Sequence, residues 1–298
     1  MALTQRRSQW WIGLRKICSM LSVITVTWNA TEKIQKQMQS VREGCEKISF
    51  EQIVVDNGSK DDTVDIVRSF PRAKLIANAE NTGFAVANNQ GVKIVSGDFL
   101  LFLNPDMLVA KGSLDKLMEW LIKHPDVGLV SCKLTDAEGN FNPEASPRRW
   151  PTVLNQAALL LKLPHIFPKI LDNYLMKDFD PDKEQEVDSV RGAFMLARKE
   201  IIERLGWAFD PRYFIWFEDV DLCREVKRLG YKVMYTPIVS CVDYVGQSFI
   251  KQETLWKQKN FTASMLTYFQ KWEPWYKWIW IWLLRPIGIG LTWLIKKL

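Results

Sequence analysis

Carboxylates that follow apolar, strand-like runs are the side chains best suited to chemistry in this 298-residue sequence. Asp56 ends the run IVVD, and Asp106 comes soon after the fully apolar run Phe99–Leu103. In open α/β sheets ligands bind beyond the carboxyl ends of the strands, so both carboxylates are expected at one edge of the sheet. There Asp56 suits hydrogen bonding to a nucleobase or ribose. Asp106 suits Mg²⁺ or Mn²⁺, hard cations that prefer oxygen ligands and can bridge a diphosphate. Either residue taken alone is equally compatible with a helix cap or a turn.

A second acidic group, Glu218, Asp219 and Asp221, stands at the predicted start of a helix, directly after the aromatic run YFIWF at residues 213–217. Acidic residues favour the first turn of a helix because of its dipole, which explains the charge but not the bulky apolar residues before it. Those residues suggest a lined cavity, and a carboxylate fixed in such a cavity is a candidate general base.

Missing residue types narrow the chemistry further. The two histidines, His124 and His165, both lie beside prolines, which argues against a Ser-His-Asp or Cys-His mechanism. The sequence has no GxGxxG run after its first predicted strand and no GxxxxGK[ST] run, which argues against a dinucleotide-binding domain and a P-loop. Its five cysteines form no CxxC pair. They therefore predict neither a zinc site nor a disulfide framework, and they fit a reducing compartment.

The elements that would position these carboxylates alternate between strands and helices, as in an α/β sheet. Residues 136–188 lack this rhythm and are interpreted as a variable flap or insertion. Strands are predicted at residues 21–28, 53–55, 73–77, 99–103, 127–134, 189–196 and 232–235, and helices at residues 84–95, 114–122, 153–163 and 199–205.

The predicted organisation has three parts, a basic segment at residues 1–20, a body at residues 21–249 and a tail at residues 250–298. The net charge of +6 is carried by the two ends, while the body is mildly acidic, which argues against a nucleic-acid partner. The first segment is interpreted either as a short amphipathic anchor or as sequence preceding an alternative start at Met20.

The tail is rich in tryptophan and flanked by lysine, a composition that favours the membrane–water interface. It holds seven of the 14 tryptophans. Residues 278–295 approach the ~20 apolar residues that a spanning helix needs. Arg285, near the middle, would be costly inside a bilayer. The tail is therefore interpreted as an interfacial or re-entrant anchor, with a true span and a helix packed on the body as alternatives.

Six motifs occur in the order typical of family 2 glycosyltransferases, and the chain resembles the branch containing bacterial rhamnosyltransferases and related enzymes of surface-polysaccharide assembly. The resemblance implies a GT-A fold, a Rossmann-like three-layer α/β/α mixed sheet, followed by C-terminal membrane-associated helices. The insertion would then lie on the acceptor side. The motifs are VITVTWN at residues 23–29, VVDNGSKDDT at 54–63, NTGFAVANN at 81–89, FLNPD at 102–106, RGAFMLARKE at 191–200 and FDPRYFIWFEDVDLCREVKRLGYKV at 209–233.

The resemblance also implies roles for individual residues. Asp219 would be the base that deprotonates the acceptor hydroxyl, with Glu218 supporting the site, and Asp106 would bind Mg²⁺ or Mn²⁺ on the donor diphosphate. A base opposite the leaving group implies a single inverting step. Gly192 and Ala193 would leave room at the sugar. The full set of expected nucleotide-sugar-binding residues is Thr27, Asn29, Asp56, Asn57, Gly83, Asn88, Asn104, Gly192 and Ala193.

Two departures from the family pattern bear on activity. Many relatives carry a histidine shortly before a Gly-x-Ser near the end of the domain, whereas this chain has Asp243 there, which is expected to ligate the metal in its place. The QxxRW motif of processive synthases is absent, because Arg149-Trp150 lacks the Gln. Addition of a single sugar is therefore expected rather than chain polymerisation.

The sequence thus predicts a metal-dependent, inverting glycosyltransferase that moves rhamnose or another hexose from a nucleotide-diphosphate sugar to a lipid-linked or polysaccharide acceptor. It is expected to be peripheral or monotopic at the cytoplasmic face of the cell membrane, with no nucleic-acid partner. The alternatives are a soluble or protein acceptor, an inactive glycosyltransferase-like scaffold and a nucleotidyltransferase. A nucleotidyltransferase would be expected to carry a Gly-rich, Lys-bearing loop where this chain has Thr27-Trp28-Asn29.

Overall fold

A mixed β-sheet forms the centre of the protein. The computed structural model describes residues 19–244 and 253–297, so the N-terminal residues 1–18 of the basic segment and the Gly-x-Ser at residues 246–248 lie outside it. Within the described range, the strands run in the order β3-β2-β1-β4-β8-β6-β9-β5, with β7 paired to β9. They are β1 (Met20–Thr27), β2 (Ser49–Asp56), β3 (Ala73–Ala77), β4 (Phe99–Leu103), β5 (Met107–Val109), β6 (Val127–Thr135), β7 (Gln185–Glu186), β8 (Phe194–Arg198) and β9 (Lys232–Asp243).

The register of the parallel strands creates the edge at which the predicted site residues meet. β1 pairs in parallel with both β2 and β4, and Thr27 stands opposite Asp56 at the carboxyl ends of their strands. β8 is antiparallel to both β4 and β6, which makes the sheet mixed. The ends of β1, β2 and β4 therefore open toward one side of the molecule.

Helices cover both faces of this sheet. Neighbouring side chains in β1 belong to different clusters of buried residues, Val23 to one face and Ile24 to the other, as the alternation along a strand requires. This arrangement gives the three expected layers. The helices are α1 (Thr31–Gly44), α2 (Thr63–Arg68), α3 (Phe84–Val92), α4 (Ser113–Lys123), α5 (Val153–Leu160), α6 (Lys199–Leu205), α7 (Glu218–Arg228), α8 (Thr254–Trp272) and α9 (Trp275–Lys297).

Several boundaries differ from the sequence predictions. The sequence predictions contain no helix at the position of α1, although Ile34, Met38 and Val41 follow helical spacing and are buried in the structure. β9 continues to Asp243 rather than ending near Tyr235, because the register shift between β6 and β9 accommodates Pro237 in an irregularity. β8 begins at Phe194, five residues later than expected, because the preceding residues form a turn that lines the site.

The tail packs on the body. α8 buries Met265, Tyr268 and Phe269 in the same cluster as the sheet residues Ile24 and Phe102. α8 thus shares the core of the preceding domain, whereas the proposed membrane role of residues 250–298 stays a prediction. Among the described residues, Trp275–Ile295 of α9 is the helix that is long and apolar enough to cross a membrane, and 17% of that stretch is buried.

Candidate active site

A cavity of about 470 Å³ opens at the carboxyl edge of the parallel strands. Its wall combines the ends of β1, β2 and β4, the turn before β8, and the aromatic turn before α7. Eight of the residues predicted from the sequence line it: Thr27, Asn57, Gly83, Asn104, Gly192, Ala193, Glu218 and Asp219. The structure therefore gathers segments that are far apart in the sequence at one site.

Asp219 is a half-buried carboxylate in the first turn of α7, held by backbone donors. Gly192 N donates to Asp219 Oδ2 at 2.9 Å, and Val220 N donates to Oδ1 at 2.8 Å. A Cβ atom on Gly192 would lie 3.3 Å from Asp219 Cβ. The space that the glycine leaves is thus taken by Asp219, and the glycine allows the close approach that orients this carboxylate.

Glu218 is adjacent in sequence but lies in different surroundings. Its side chain is buried, and its Oε2 atom has no hydrogen-bond partner within the described part of the chain. Burial raises the pKa of Glu218 well above its ordinary value, and the negative charge of Asp219 raises it further. The Glu218 carboxyl group at the cavity wall is therefore harder to ionise than an exposed glutamate.

The two residues before α7 have unusual backbone conformations. Trp216 has φ of 67° and Phe217 has φ of 68°, in the left-handed region that bulky residues rarely adopt. Such conformations persist only where surrounding contacts enforce them, and they cluster at functional sites. The turn fixes the direction in which α7 begins, and hence the orientation of Glu218 and Asp219.

Asp106 and Asp243 come together beside this cavity. β5 pairs with β9 so that Met107 stands opposite Asp243, next to Asp106. Asp106 is buried and follows Pro105, a cavity-lining residue. Burial and the charge of Asp106 together raise the pKa of Asp243 to about 6, although Arg191 opposes them. Two close carboxylates under mutual repulsion are a suitable donor set for a hard divalent cation.

The chemistry of this pair fits a Mg²⁺ or Mn²⁺ ion only if further oxygen ligands are supplied. Within residues 19–244 and 253–297, no group of three or more His, Cys, Asp or Glu side chains is arranged to hold a metal. Mg²⁺ commonly uses one or two protein carboxylates and takes its remaining ligands from water and substrate phosphates. The pair therefore matches a cation that binds together with a diphosphate.

Two further predicted residues stabilise the turn after β2 and do not line the cavity. Asp56 accepts hydrogen bonds from Gly58 N at 3.1 Å and Ser59 N at 2.9 Å, and also from the Ser59 hydroxyl. Asn29 Oδ1 accepts from Lys60 N at 2.8 Å, and Asn29 N donates to Ser59 Oγ. The Asn29 side chain thus joins the end of β1 to the turn after β2, while the Asp56 side chain holds that turn in place.

Two predicted binding residues differ in how their polar atoms are used. Thr27 lines the cavity wall, and its buried Oγ1 atom has no hydrogen-bond partner in the described structure. Asn88, in contrast, is buried in α3, where its Nδ2 donates to Phe84 O at 3.0 Å, and it does not line the cavity. The structure does not bring Asn88 to the site, because it lies on the face of α3 that packs inward.

The cavity also contains residues that were not singled out from the sequence. Arg191 is exposed at the wall, and its positive charge acts on both Asp243 and Glu218. Arg148 and Tyr174 come from the insertion, and Trp256 comes from α8. Arg191 was available as a signal, since it directly precedes Gly192 in the RGAFM motif. The other three required knowledge of the tertiary fold.

Comparison with known proteins identifies the family. The model of glycosyl transferase family 2 matches residues 22–183, more than half of the chain. The N-acetylglucosaminyl-diphospho-decaprenol L-rhamnosyltransferase of Mycobacterium tuberculosis is 24% identical over 243 residues, covering 77% of each chain. The rhamnosyltransferase WbbL of Escherichia coli K12 is 27% identical over 188 residues, covering 60% of this chain and 68% of its own.

Solved structures share the fold. S. aureus TarS 1–349 in complex with UDP-GlcNAc matches with a TM-score of 0.56 and 17% identity, covering 83% of this chain and 65% of that one. The mannosyltransferase PcManGT of Pyrobaculum calidifontis, in complex with GDP-Man and Mn²⁺, matches with a TM-score of 0.55 and 20% identity, covering 91% and 72%. The α/β fold of the GT-A type and the resemblance to rhamnosyltransferases are thereby confirmed. The chain belongs to glycosyl transferase family 2, and it is a glycosyltransferase.

Proposed function

We propose that this enzyme transfers a single sugar from a nucleotide-diphosphate sugar to a lipid-linked or polysaccharide acceptor, in one inverting step that depends on Mg²⁺ or Mn²⁺. The observation that carries the proposal is the Asp219 carboxylate, which Gly192 N orients at the wall of a cavity bordered by the Asp106–Asp243 pair. An acceptor hydroxyl beside Asp219 and a diphosphate beside the pair would lie on opposite sides of the transferred sugar.

The different surroundings of Glu218 and Asp219 support Asp219 as the base. A protonated Glu218 leaves the negative charge of the two side chains on Asp219, and a base must be ionised to accept a proton. Burial of Glu218 disfavours the ionised form that an attack on the anomeric carbon would need, so Glu218 is also unsuited as a nucleophile. Without a second ionised carboxylate as nucleophile, the arrangement favours inversion over two-step retention.

The leaving diphosphate would be stabilised by residues after β4, at the end of β9 and before β8. Asp106 and Asp243 would hold Mg²⁺ or Mn²⁺, which stabilises negative charge on the departing oxygens as a Lewis acid. Arg191 adds a positive charge on the cavity side of Asp243. The base or ribose would be bound by Thr27, with Asp56, Asn29 and Asn57 shaping the neighbouring turns. We also propose that the nucleotide donates a hydrogen bond to the Asp56 carboxylate.

Rhamnose is the first donor sugar to test, because the relatives from M. tuberculosis and E. coli are named as rhamnosyltransferases. The decaprenol in the mycobacterial name supports a lipid-linked acceptor. The structures bound to UDP-GlcNAc and GDP-Man support a nucleotide-sugar donor in general and leave hexoses on UDP or GDP as the other candidates.

A membrane partner is supported by the way α9 packs. Residues 281, 285, 288 and 292 form one stripe along the helix that faces the rest of the protein. Ile281 and Thr292 on this stripe are buried. Gly288 packs closely as well, because a Cβ there would lie 2.9 Å from the Leu160 carbonyl oxygen. Arg285 Nε on the same stripe donates to Thr262 Oγ1 at 3.1 Å. A helix docked in this way is suited to lie in the membrane interface, parallel to its plane, rather than to cross it.

The outward face of α9 has the composition of an interfacial helix. Trp280, Trp282 and Ile287 are half exposed or more on this face. Between residues 278 and 295 the only charged side chain is Arg285, which belongs to the docked stripe, and lysines flank the stretch at both ends. We propose attachment at the cytoplasmic face, since the four described cysteines are free and buried, as expected in a reducing compartment.

The experiment that tests the function is a donor screen. Purified protein is titrated with dTDP-rhamnose and with UDP-, GDP- and dTDP-linked hexoses, with Mg²⁺, with Mn²⁺ and with EDTA. We expect one donor to bind in a metal-dependent manner and to be hydrolysed slowly, and we expect Asp106→Asn to weaken its binding by at least about tenfold through loss of a metal ligand. Absence of binding to every donor, from folded protein with metal present, would favour an inactive scaffold and contradict the proposal.

A further inference from the structure

Helix α8 contacts both ends of the segment that carries Glu218 and Asp219, although the residues in contact are 49 to 51 positions apart in the chain. α8 is followed directly by α9, the proposed membrane helix. These contacts come from Ser264, Lys271 and Trp272, a group named here the α8 clamp. None of the three lines the cavity wall formed by described residues, so their effect on the site must act through the segment they hold.

The first contact is at the strained turn. Ser264 Oγ donates a buried hydrogen bond to Ile215 O at 2.7 Å, immediately before Trp216 and Phe217. The Phe217 ring packs against Phe261 and Tyr268 of α8, with ring centroids 5.4 and 5.6 Å away. Because the positive φ values of Trp216 and Phe217 are unfavourable, the turn needs such external contacts to persist.

The second contact is a buried ionic group on α7. Lys271 Nζ lies 2.7 Å from Asp221 Oδ2, 2.9 Å from Glu225 Oε1 and 3.2 Å from Asp210 Oδ2. Trp272 Nε1 donates to Asp221 Oδ1 at 2.6 Å. The tail therefore supplies both the cation and the indole donor that satisfy Asp221, two residues beyond Asp219.

Lys271 has a role in this ionic group that Arg212 and Arg228 do not share. Asp210 also pairs with Arg212, and Glu225 also pairs with Arg228. Asp221, which is fully buried, has Lys271 as its ion-pair partner among the described basic residues. Removal of Lys271 would leave Asp221 as an uncompensated buried charge, which must take up a proton or move toward solvent. Either response would shift the first turn of α7, which contains Asp219.

We propose that the α8 clamp positions the base: Lys271 holds the first turn of α7 through Asp221, and Ser264 holds the turn before it, so that Asp219 stays in the geometry that proton transfer requires. This inference rests on the role of Asp219 in the proposed function. It makes residues of the tail part of the catalytic architecture, in addition to any part the tail has in membrane attachment.

A double-mutant cycle tests the clamp in the full-length protein with the donor found in the screen. Lys271→Met is made alone and in the Asp219→Asn background, with Lys271→Arg as the conservative variant. Lys259→Met is the matched control, because Lys259 is an exposed lysine on the same helix. Turnover is divided by the number of donor-binding sites counted by equilibrium binding, so that loss of folded protein does not count as loss of catalysis.

We expect Lys271→Met to lower kcat by about tenfold to a hundredfold, as a small misplacement of a catalytic group does, with the donor KM unchanged. Lys271→Arg should recover most of the loss, and Lys259→Met should have no effect. In the Asp219→Asn background Lys271→Met should cause no further loss, because a residue that acts through Asp219 has nothing left to position.

An equal fold-loss in both backgrounds would mean that Lys271 supports the fold in general, and it would overturn the clamp while leaving Asp219 as the base. No loss from Lys271→Met would overturn it as well. An unaltered rate in Asp219→Asn alone would instead contradict the proposed function. If Lys271→Met does not fold, Ser264→Ala goes through the same cycle, since it removes one hydroxyl and leaves no buried charge; an additive loss there overturns the clamp.

Discussion

Asp219 and Glu218 illustrate how neighbouring carboxyl groups acquire different chemistry from their surroundings. Asp219 is half-buried, and its carboxylate accepts two backbone hydrogen bonds, from Gly192 N and Val220 N. Glu218 is buried with one oxygen unpartnered in the described structure, and its pKa is raised by burial. Pairs of titratable groups in contrasting environments commonly divide the roles of base and neutral hydrogen-bond donor in this way.

A methyl group at position 192 provides a residue-scale test of how closely Asp219 must be held. Gly192→Ala would bring a Cβ to 3.3 Å from Asp219 Cβ, closer than is comfortable for unaltered backbone. We expect kcat to fall about tenfold or more, since the carboxylate must shift, while donor affinity changes little. Steady-state kinetics with donor-binding measurements check this.

The matched control for that substitution is Gly290→Ala, which adds the same methyl group into open space on α9. Its transfer rate should equal that of the wild type. A Gly192→Ala enzyme with normal kcat would show that the hydrogen bond from Gly192 N does not determine the position of Asp219.

The motifs identified the acidic residues at the site, but not how each side chain is used. Asp219 lines the cavity, as the aromatic run before it suggests, and Asp106 lies beside Asp243, as the family resemblance implies, whereas Asp56 is used in the turn after β2. Asn88 could not be assigned to the inward face of α3 from a motif alone, since the same sequence fits either face. Tyr174 of the insertion also lines the cavity, and no local sequence pattern predicts that the insertion folds back to this position.

At the scale of elements, Glu51 in β2 ties neighbouring strands and loops together. Its Oε1 accepts hydrogen bonds from Ser22 Oγ at 2.6 Å and Ser96 N at 2.5 Å, and Lys74 Nζ lies 2.7 Å from Oε2. Burial alone would raise the pKa of Glu51, but the contacts with Lys74, Ser22 and Ser96 outweigh it and hold the pKa below its ordinary value of 4.5. Glu51 therefore stabilises the sheet in its ionised form.

The sign of the pH dependence follows from that lowered pKa. The stabilisation is fully present above the unfolded-state pKa of about 4.3 and is lost as the pH falls through the lower folded-state pKa. We expect Glu51→Gln to lower the free energy of unfolding by about 1–3 kcal/mol at pH 7, and the difference from wild type to shrink as the pH falls below about 4. Urea unfolding between pH 7 and pH 3 measures it.

An exposed ion pair serves as the control for this pH series. Asp65 and Arg68 form a pair on α2 in which both side chains are well exposed. Asp65→Asn should change stability by less than about 1 kcal/mol at any pH in the range. A Glu51→Gln difference that stays constant from pH 7 to pH 3 would contradict the assigned ionisation.

Elements with a strong local pattern were predictable, and those with a mixed pattern were not. The fully apolar run of β4 was assigned with its observed bounds, Phe99–Leu103. Helix α1 has a weak sequence pattern, because most of its residues are polar and Ile34, Met38 and Val41 are the apolar residues on its buried side. The predicted strand at residues 232–235 is shorter than β9, because a proline normally ends a strand. Here Pro237 lies at the irregularity in the pairing of β6 with β9, and the strand continues to Asp243.

At the scale of the whole molecule, the apolar face of α9 and the catalytic cavity belong to one packed body. α9 packs on α8, whose Tyr268 and Phe269 lie in the core shared with the sheet. The orientation of the cavity relative to a membrane surface would therefore be fixed once α9 is bound. Under the proposed function, a docked, Trp-rich helix of this kind would keep a lipid-linked acceptor near Asp219.

Vesicle flotation tests this surface without truncating the chain. We expect Trp280→Glu combined with Trp282→Glu to reduce binding to anionic vesicles at least about tenfold, because two negative charges replace exposed tryptophans that would enter the membrane interface. Ile238→Glu is the control, since Ile238 is a comparably exposed apolar residue on β9, outside the tail. Unchanged flotation of the double variant would contradict membrane binding through this face of α9.

The central claim, that ionised Asp219 is the base while Glu218 is its neutral neighbour, is tested most directly by two isosteric variants. Transfer rate and donor affinity are measured for Asp219→Asn and Glu218→Gln side by side. We expect Asp219→Asn to bind the donor normally and to lose about two to four orders of magnitude in kcat, because the general base is gone. Glu218→Gln, which preserves a neutral side chain of the same shape, should lose less than about tenfold. A small effect of Asp219→Asn, or a larger loss in Glu218→Gln than in Asp219→Asn, would contradict the account.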